Sequence, residues 1–224
     1  MLICSGFTEE SMEIEVKYEL PNEAELEKIL EDEDIIRCSE GEEAETVPMR
    51  AIYYDTADGD LRKQDITLRV RSEGATAFVT AKWGGCVRGA VHRREEINIP
   101  VAIEHASDAP DAALFEQTPI GTALKSIMDA SPLQPMVIMQ FDRTRKRLTF
   151  ERNIIELALD RGKIITPRGC CPILEMELEH YAGPDPLAVL ELGEVVSERH
   201  GLLLQPRSKY SRGLSLLGLS RDDQ

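Results

Sequence analysis

The stretch MEIEVKYEL, residues 12–20, alternates strictly between charged and apolar side chains. Glu13, Glu15 and Lys17 fall on one side of an extended chain, and the apolar residues between them fall on the other. A period of two is typical of a β-strand with one buried face. The charged face fits either a solvated sheet edge or a wall that faces a polyanion and its metal ion. The residue types on the other predicted strands distinguish between these two environments.

Length and charge limit the classes of function. The chain has 224 residues, which is enough for one large domain or two small ones. It carries 41 acidic and 26 basic residues, a net charge of −15, which argues against non-specific binding to nucleic acid or to an anionic membrane. An anionic small molecule remains compatible with this charge, because a local basic cluster or a divalent cation can reverse the field inside a cleft.

Cysteine usage and hydropathy predict the compartment. The five cysteines are odd in number and lack CxxC spacing, so we expect reduced thiols; they are Cys4, Cys38, Cys86, Cys170 and Cys171. The sequence shows no basic-then-apolar signal segment and no apolar run of about 18 residues that would span a bilayer. These features predict a soluble cytoplasmic protein without a membrane partner.

Seven further stretches have strand-like alternation or composition. They are residues 49–56, 66–72, 78–83, 93–99, 138–150, 153–160 and 172–181. Helical patterns cover residues 21–34, 122–130 and 185–201, a glycine-rich connector is expected at 84–92, and the basic tail is expected to be partly helical. Eight alternating strands with short turns predict a mostly antiparallel sheet, and eight are enough to close a barrel.

The charged faces of these strands are unusually uniform. Arg69 and Arg71 alternate within LRVR, and Glu175 and Glu177 alternate within LEMELE. A charged strand face is usually a solvated one, but solvated faces mix residue types. Arginine presents a planar fork that matches phosphate oxygens, and carboxylates supply the hard oxygen ligands that Mg²⁺ prefers. Taken together, the faces favour a site for a nucleotide or polyphosphate and its metal ion.

Nine short motifs, in order along the chain, resemble those of one family. They are EIEVK, YYDT, LRVR, TAK, RREEI, RTRKR, IELALD, LEMELE and SKYSRG. The sequence thereby resembles the CYTH, or triphosphate tunnel metalloenzyme, superfamily. The resemblance implies an α+β fold, an eight-stranded antiparallel β-barrel with flanking helices whose lumen is a charged tunnel. It also implies a single CYTH domain over residues 1–224, with a tunnel core at about 12–217.

The resemblance also implies roles for individual residues. The implied triphosphate ligands are Lys17, Arg69, Arg71, Lys82, Arg94, Arg145, Arg147 and Lys209. The implied ligands of Mg²⁺ or Mn²⁺ are Glu13, Glu15, Asp160, Glu175 and Glu177. Glu177 and Lys17 are the implied catalytic residues, with the carboxylate preparing the nucleophile for in-line attack. Two choices stay open: Arg93 is an alternative to Arg94, and Arg143 can replace either Arg145 or Arg147.

Members of this family act on several triphosphates. We expect metal-dependent hydrolysis of inorganic triphosphate, because the motifs account for a triphosphate and a metal while the sequence offers no obvious aromatic pocket for an organic group. The alternatives are a class IV adenylate cyclase, a thiamine triphosphatase and a non-catalytic polyphosphate-binding module. The expected partner is a triphosphate or polyphosphate small molecule rather than nucleic acid. A longer parent chain with a C-terminal helical domain is compatible with the basic ending.

Overall fold

The computed structural model describes residues 14–39, 41–88 and 91–219, without the side chains of 85–88 and 91–94. Within these ranges the strands form one nine-stranded sheet. The strands are β1 (Glu15–Glu19), β2 (Glu45–Thr56), β3 (Thr67–Glu73), β4 (Thr76–Arg88), β5 (Val91–Val101), β6 (Leu133–Phe150), β7 (Asn153–Thr166), β8 (Gly169–Ala182) and β9 (Leu203–Leu204). The α-helices are α1 (Ala24–Leu30), α2 (Glu33–Cys38), α3 (Asp60–Lys63), α4 (Gly121–Ala130), α5 (Ala188–His200) and α6 (Lys209–Leu216).

All strand pairs of the sheet are antiparallel, in the order β5-β4-β3-β2-β6-β7-β8-β1-β9. The α+β class and the antiparallel sheet predicted from the alternation are therefore confirmed. The predicted strands all form, and the two-residue β9 adds a ninth. Among the described residues, β5 and β9 are the two edges of this sheet.

Two local predictions were wrong. The described residues of the glycine-rich segment 84–92 belong to strands rather than to a connector, because β4 continues to Arg88 and β5 begins at Val91. Gly84 adopts a φ of 57° next to a register shift in the ladder, so it forms a bulge rather than ending the strand. The single helix expected at 21–34 is two helices, because the Asp32 side chain accepts hydrogen bonds from Asp34 N and Ile35 N and starts α2 as its N-cap.

The apolar faces of the strands pack on helices, as the alternation predicts. One cluster joins β1, β7 and β8 to α1, α2 and α5, with Val16, Leu157 and Val189 among its buried side chains. A second cluster joins β2, β3 and β4 to α3 and α4. The opposite side of the sheet carries the charged residues and is called the charged face from here on; it includes Arg71, Arg143, Asp160, Glu175 and Glu177.

The helix α6 is an exception, because it packs on the charged face. Its Tyr210 ring stacks on Tyr53 of β2, with ring centroids 4.4 Å apart. Gly213 lies so close to β6 that a Cβ atom would stand 2.5 Å from Val137 Cγ1. Arg168 fixes the end of the helix by donating a hydrogen bond to the carbonyl oxygen of Leu217, at 2.6 Å. The described part of the basic tail is thus anchored on the sheet through α6.

The helices are short. The longest of those described, α5, has 13 residues, and none of the described helices combines the length and the apolar composition that crossing a bilayer requires.

Candidate anion and metal site

Three carboxylates meet in the middle of the charged face. The register of β7 and β8 places Asp160 opposite Glu175, and Glu177 follows two residues later on the same side. The side chains of Asp160 and Glu175 are 0% and 1% exposed, and that of Glu177 is 12% exposed. One oxygen from each lies within 4.8 Å of the others. Such a group of hard oxygen ligands has the composition of a site for Mg²⁺ or Mn²⁺.

Lys209, the first residue of α6, points into this group. Its ammonium nitrogen lies 2.7 Å from Asp160 Oδ2 and 2.8 Å from Glu177 Oε1, and it also contacts Glu175 Oε1. The Ser208 side chain fixes the first turn of the helix by accepting a hydrogen bond from the backbone nitrogen of Ser211. The N-cap therefore positions the lysine.

Two arginines complete the neutralisation of the carboxylates. Arg143 of β6 donates from Nε and Nη2 to the two oxygens of Asp160, each at 2.7 Å, and from Nη2 to Glu177 Oε2 at 2.6 Å. Arg212, one helical turn beyond Lys209, donates from Nη2 to Glu175 Oε2 at 2.8 Å. Arg212 was missed at the sequence level. Its signal is the spacing of three residues from Lys209 within SKYSRG, which puts both cations on one side of a helix.

Glu177 and Lys209 favour their charged forms in spite of their burial. Burial raises the pKa of Glu177, but the cations of Lys209, Arg143 and Lys17 outweigh it, and the net pKa lies well below the ordinary glutamate value. Burial likewise lowers the pKa of Lys209, but Glu177, Asp160 and Glu175 outweigh it and hold the pKa well above the ordinary lysine value. Three acidic and three basic side chains therefore contact one another in one cluster.

A second group of cations lies on β3 and β4. Arg69 and Arg71 are half-buried on the charged face, and Arg69 Nη1 donates to the Tyr53 hydroxyl at 3.1 Å. Burial and the neighbouring Arg69 lower the pKa of Arg71, which indicates crowded positive charge. Lys82 of β4 pairs with Glu96 Oε2 at 2.5 Å. This wall is suited to an anion, because the phosphate oxygens would relieve the repulsion between its arginines.

The three arginines of β6 have different surroundings. Arg145 pairs with Glu45 Oε2 at 2.9 Å and with Glu73 Oε1 at 2.5 Å. Arg147 lies over the ring of Tyr181, 4.5 Å from its centroid. Same-face residues of a strand are about 6.6 Å apart, so only one of the three can lie level with Asp160. That residue is Arg143, the alternative that the sequence left open.

The other residues predicted as ligands, Lys17, Glu15, Glu13 and Arg94, are not among the groups described above. Lys17 lies opposite Glu177 in the β1–β8 register, and its ammonium pairs with Glu15. Glu15 is not one of the three carboxylates grouped at Asp160 within the described residues. Glu13 lies outside the described residues, and for Arg94 the description covers only the backbone, which pairs with Gly85.

The antiparallel sheet thus carries half-buried arginines and lysines and buried carboxylates on one face, together with α6, and packs its other helices on the opposite face. The chain belongs to the CYTH domain family, whose sequence model matches residues 11–214.

Individual relatives agree with this assignment. An inorganic triphosphatase of Haemophilus influenzae is 30% identical over 169 residues, which are 73% of this chain and 44% of that protein. The chain therefore spans less than half of that relative's length.

Two solved structures are similar in fold. A candidate adenylyl cyclase from Hippeastrum, with a dominant triphosphatase activity, has a TM-score of 0.61 at 22% identity, covering 91% of this chain and 96% of that one. A candidate adenylate cyclase from Bacillus halodurans has a TM-score of 0.54 at 20% identity, covering 88% and 94%. At these identities the likeness establishes the fold alone.

Proposed function

We propose that the charged face binds inorganic triphosphate and hydrolyses it with the help of Mg²⁺ or Mn²⁺. The observation that carries this proposal is the buried group of Asp160, Glu175 and Glu177 on the same sheet face as Arg69 and Arg71. A pure polyanion binder would gain nothing from buried carboxylates, which repel its ligand. The naming of the Haemophilus influenzae relative as an inorganic triphosphatase supports the same substrate.

The carboxylates fit a divalent metal ion. They offer three oxygens within 4.8 Å of one another, and carboxylate oxygens are the ligands that both Mg²⁺ and Mn²⁺ accept. Asp160, Glu175 and Glu177 would hold the ion. When bound, the metal supplies neutralisation of phosphate charge and activation of water.

The chain's own residues account for binding and orientation. Arg69, Arg71 and Lys82 donate charge-assisted hydrogen bonds to the non-bridging phosphate oxygens. Glu177, which its cationic neighbours keep ionised, accepts a hydrogen bond from the attacking water and aligns it with the phosphorus. Lys17, opposite Glu177 in register, stabilises the negative charge that develops on the phosphoryl oxygens.

Phosphate release measured with a panel of substrates tests this function. The panel contains inorganic triphosphate, ATP, thiamine triphosphate and long polyphosphate, each with Mg²⁺ or Mn²⁺. We expect the highest kcat/KM with inorganic triphosphate. A higher kcat/KM with ATP accompanied by cyclic AMP would instead identify a cyclase, and triphosphate binding without turnover of any substrate would identify a binding module.

A further inference from the structure

The position of Lys209 has a consequence for metal binding. Its ammonium nitrogen contacts one oxygen from each of Asp160, Glu175 and Glu177, at 2.7 Å and 2.8 Å for the first and last. These are the same three residues that offer oxygens for a metal ion. The ammonium thus lies where a cation bound by this group would lie.

A lysine ammonium and a divalent ion cannot both have this position. Mg²⁺ requires oxygen ligands at about 2.0–2.1 Å, which is closer than the ammonium's contacts. Two positive ions sharing the same oxygens would also repel each other strongly in a buried site. On Glu175 and Glu177, Lys209 contacts Oε1, whereas Arg212 and Arg143 bind the other oxygen, Oε2. On Asp160, Lys209 and Arg143 share Oδ2. Among these three cations, Lys209 contacts all three carboxylates, so Lys209 is the cation that a metal ion would displace.

We propose that Lys209 is an exchangeable internal cation. It holds the three carboxylates together until a divalent ion takes its place, and its ammonium then turns to the phosphate chain of the substrate. No bond is made or broken in this exchange, in which one cation replaces another. The second half of the exchange rests on the proposed function, whereas displacement by the metal does not.

The surroundings of α6 allow the side chain to move without the helix. Tyr210 is stacked on Tyr53, Gly213 is in close contact with Val137, and Arg212 is bonded to Glu175. These contacts fix the helix on the sheet. The flexible four-carbon stem of lysine lets the ammonium change partners by rotamer changes alone.

The first experiment measures metal binding with no phosphate present. Mn²⁺ is titrated calorimetrically into the parent protein, Lys209→Met and Lys163→Met. The methionine keeps the length of the lysine but removes its charge, and Lys163 is an exposed lysine on the other side of the sheet. We expect Lys209→Met to bind Mn²⁺ about tenfold more tightly than the parent, within the usual range of coupling between sites. The Lys163→Met affinity should equal that of the parent.

The second experiment needs no variant, so it tests the displacement of the Lys209 ammonium by a metal ion even where Lys209→Met fails to fold. The parent protein is trace-labelled with acetic anhydride, and acetylation of each lysine is quantified by peptide mass spectrometry. Lys209 is 10% exposed and held by carboxylates, so we expect slow labelling that rises several-fold on adding Mn²⁺. Lys163 serves as the unchanged reference.

Two outcomes would overturn the proposal. One is a Lys209→Met protein, folded by circular dichroism, that binds Mn²⁺ no more tightly than the parent. The other is acetylation of Lys209 that stays constant or falls when Mn²⁺ is added. Neither measurement uses a triphosphate, so a protein without triphosphatase activity can still support the exchange, and an active one can still contradict it.

Discussion

Arg69 belongs to the wall of cations on β3 and β4, and its removal tests substrate binding. Its guanidinium lies on the charged face with Arg71 as its same-face neighbour. We predict that Arg69→Ala weakens triphosphate binding about ten- to a hundredfold, because a charge-assisted hydrogen bond contributes roughly 1.5–3 kcal/mol. Titration calorimetry with triphosphate measures the change, and Arg161→Ala, an exposed arginine on the other side of the sheet, is the control. An unchanged affinity would remove Arg69 from the site.

A substitution at Glu177 distinguishes an effect on turnover from an effect on substrate binding. Glu177→Gln keeps the shape of the side chain but removes a carboxylate charge that Lys209, Arg143 and Lys17 keep ionised. We predict that kcat falls about a hundredfold or more, by analogy with losses on altering metal-site residues. Triphosphate affinity should be unchanged or tighter, because a repulsive carboxylate is lost while the cations remain. Steady-state phosphate release and calorimetry on the same preparation test both parts, and equal kcat in variant and parent would contradict the assigned role.

The sequence identified most of these side chains but not their partners. Successive side chains of a strand point to opposite sides of the sheet. This alternation alone places Arg69 with Arg71 on one face, and likewise Glu175 with Glu177. Choosing Arg143 over Arg145 requires the register between β6 and β7, which depends on the whole sheet. The contact between Arg212 and Glu175 joins residues 37 positions apart, and no local pattern specifies such a contact.

At the scale of elements, α5 is joined to the start of α2 by ionic contacts to the buried Asp32. Asp32 Oδ2 accepts hydrogen bonds from Arg199 Nη1 at 2.6 Å and lies 3.1 Å from His200 Nε2. Burial raises the pKa of Asp32, but Arg199 and His200 outweigh it and the net pKa is lowered. A lowered folded-state pKa means that the ionised Asp32 stabilises the fold above its unfolded pKa of about 3.9, and that this stability is lost as the pH falls through the folded value.

We therefore predict that Asp32→Asn lowers the free energy of unfolding by roughly 1.5–3 kcal/mol at pH 7, the range for a hydrogen bond to a charged group. The difference between parent and variant should narrow below about pH 4, as Asp32 becomes protonated. Urea unfolding at several pH values measures it. Asp129→Asn, which removes an exposed pair with Lys125 on α4, should leave the free energy of unfolding nearly unchanged, because exposed ion pairs contribute little. A difference that does not narrow in acid would exclude the ionic contribution.

The helix α6 could be predicted from the sequence, but its position on the sheet could not. Its sequence indicates a basic, partly helical segment, and the helix forms over Lys209–Leu216. The alternation assigns helices to the apolar faces of the strands, yet α6 packs on the charged face. It can do so because a glycine at 213 permits close contact with β6 and because an apolar group around Tyr53 and Met139 lies beside the carboxylates. This complementarity is a property of the assembled sheet.

At the scale of the whole molecule, one sheet links residues from both ends of the described chain. β1 pairs with β8 and β9, and β6 pairs with β2, so neither half of the sequence has a complete sheet of its own. We propose on this basis that the chain is a single domain. The charge distribution follows the same arrangement, because a protein with a net charge of −15 collects arginines and lysines on its charged face.

Chelation of divalent metal ions should separate activity from stability. The proposed hydrolysis requires a metal ion, because the ion would supply the activation of water and the neutralisation of phosphate charge. The fold has no such requirement, since Lys209, Arg143 and Arg212 already neutralise these carboxylates. We predict that excess chelator abolishes phosphate release, and that added Mn²⁺ or Mg²⁺ restores it. The melting temperature should change by less than about 2 °C, which corresponds to less than about 1 kcal/mol for a protein of this size.

Phosphate release and thermal unfolding, measured on one sample with and without chelator, test both statements. Undiminished turnover in chelator would contradict metal dependence, and a large fall in melting temperature would show that the metal ion, rather than the three cations, stabilises the carboxylates.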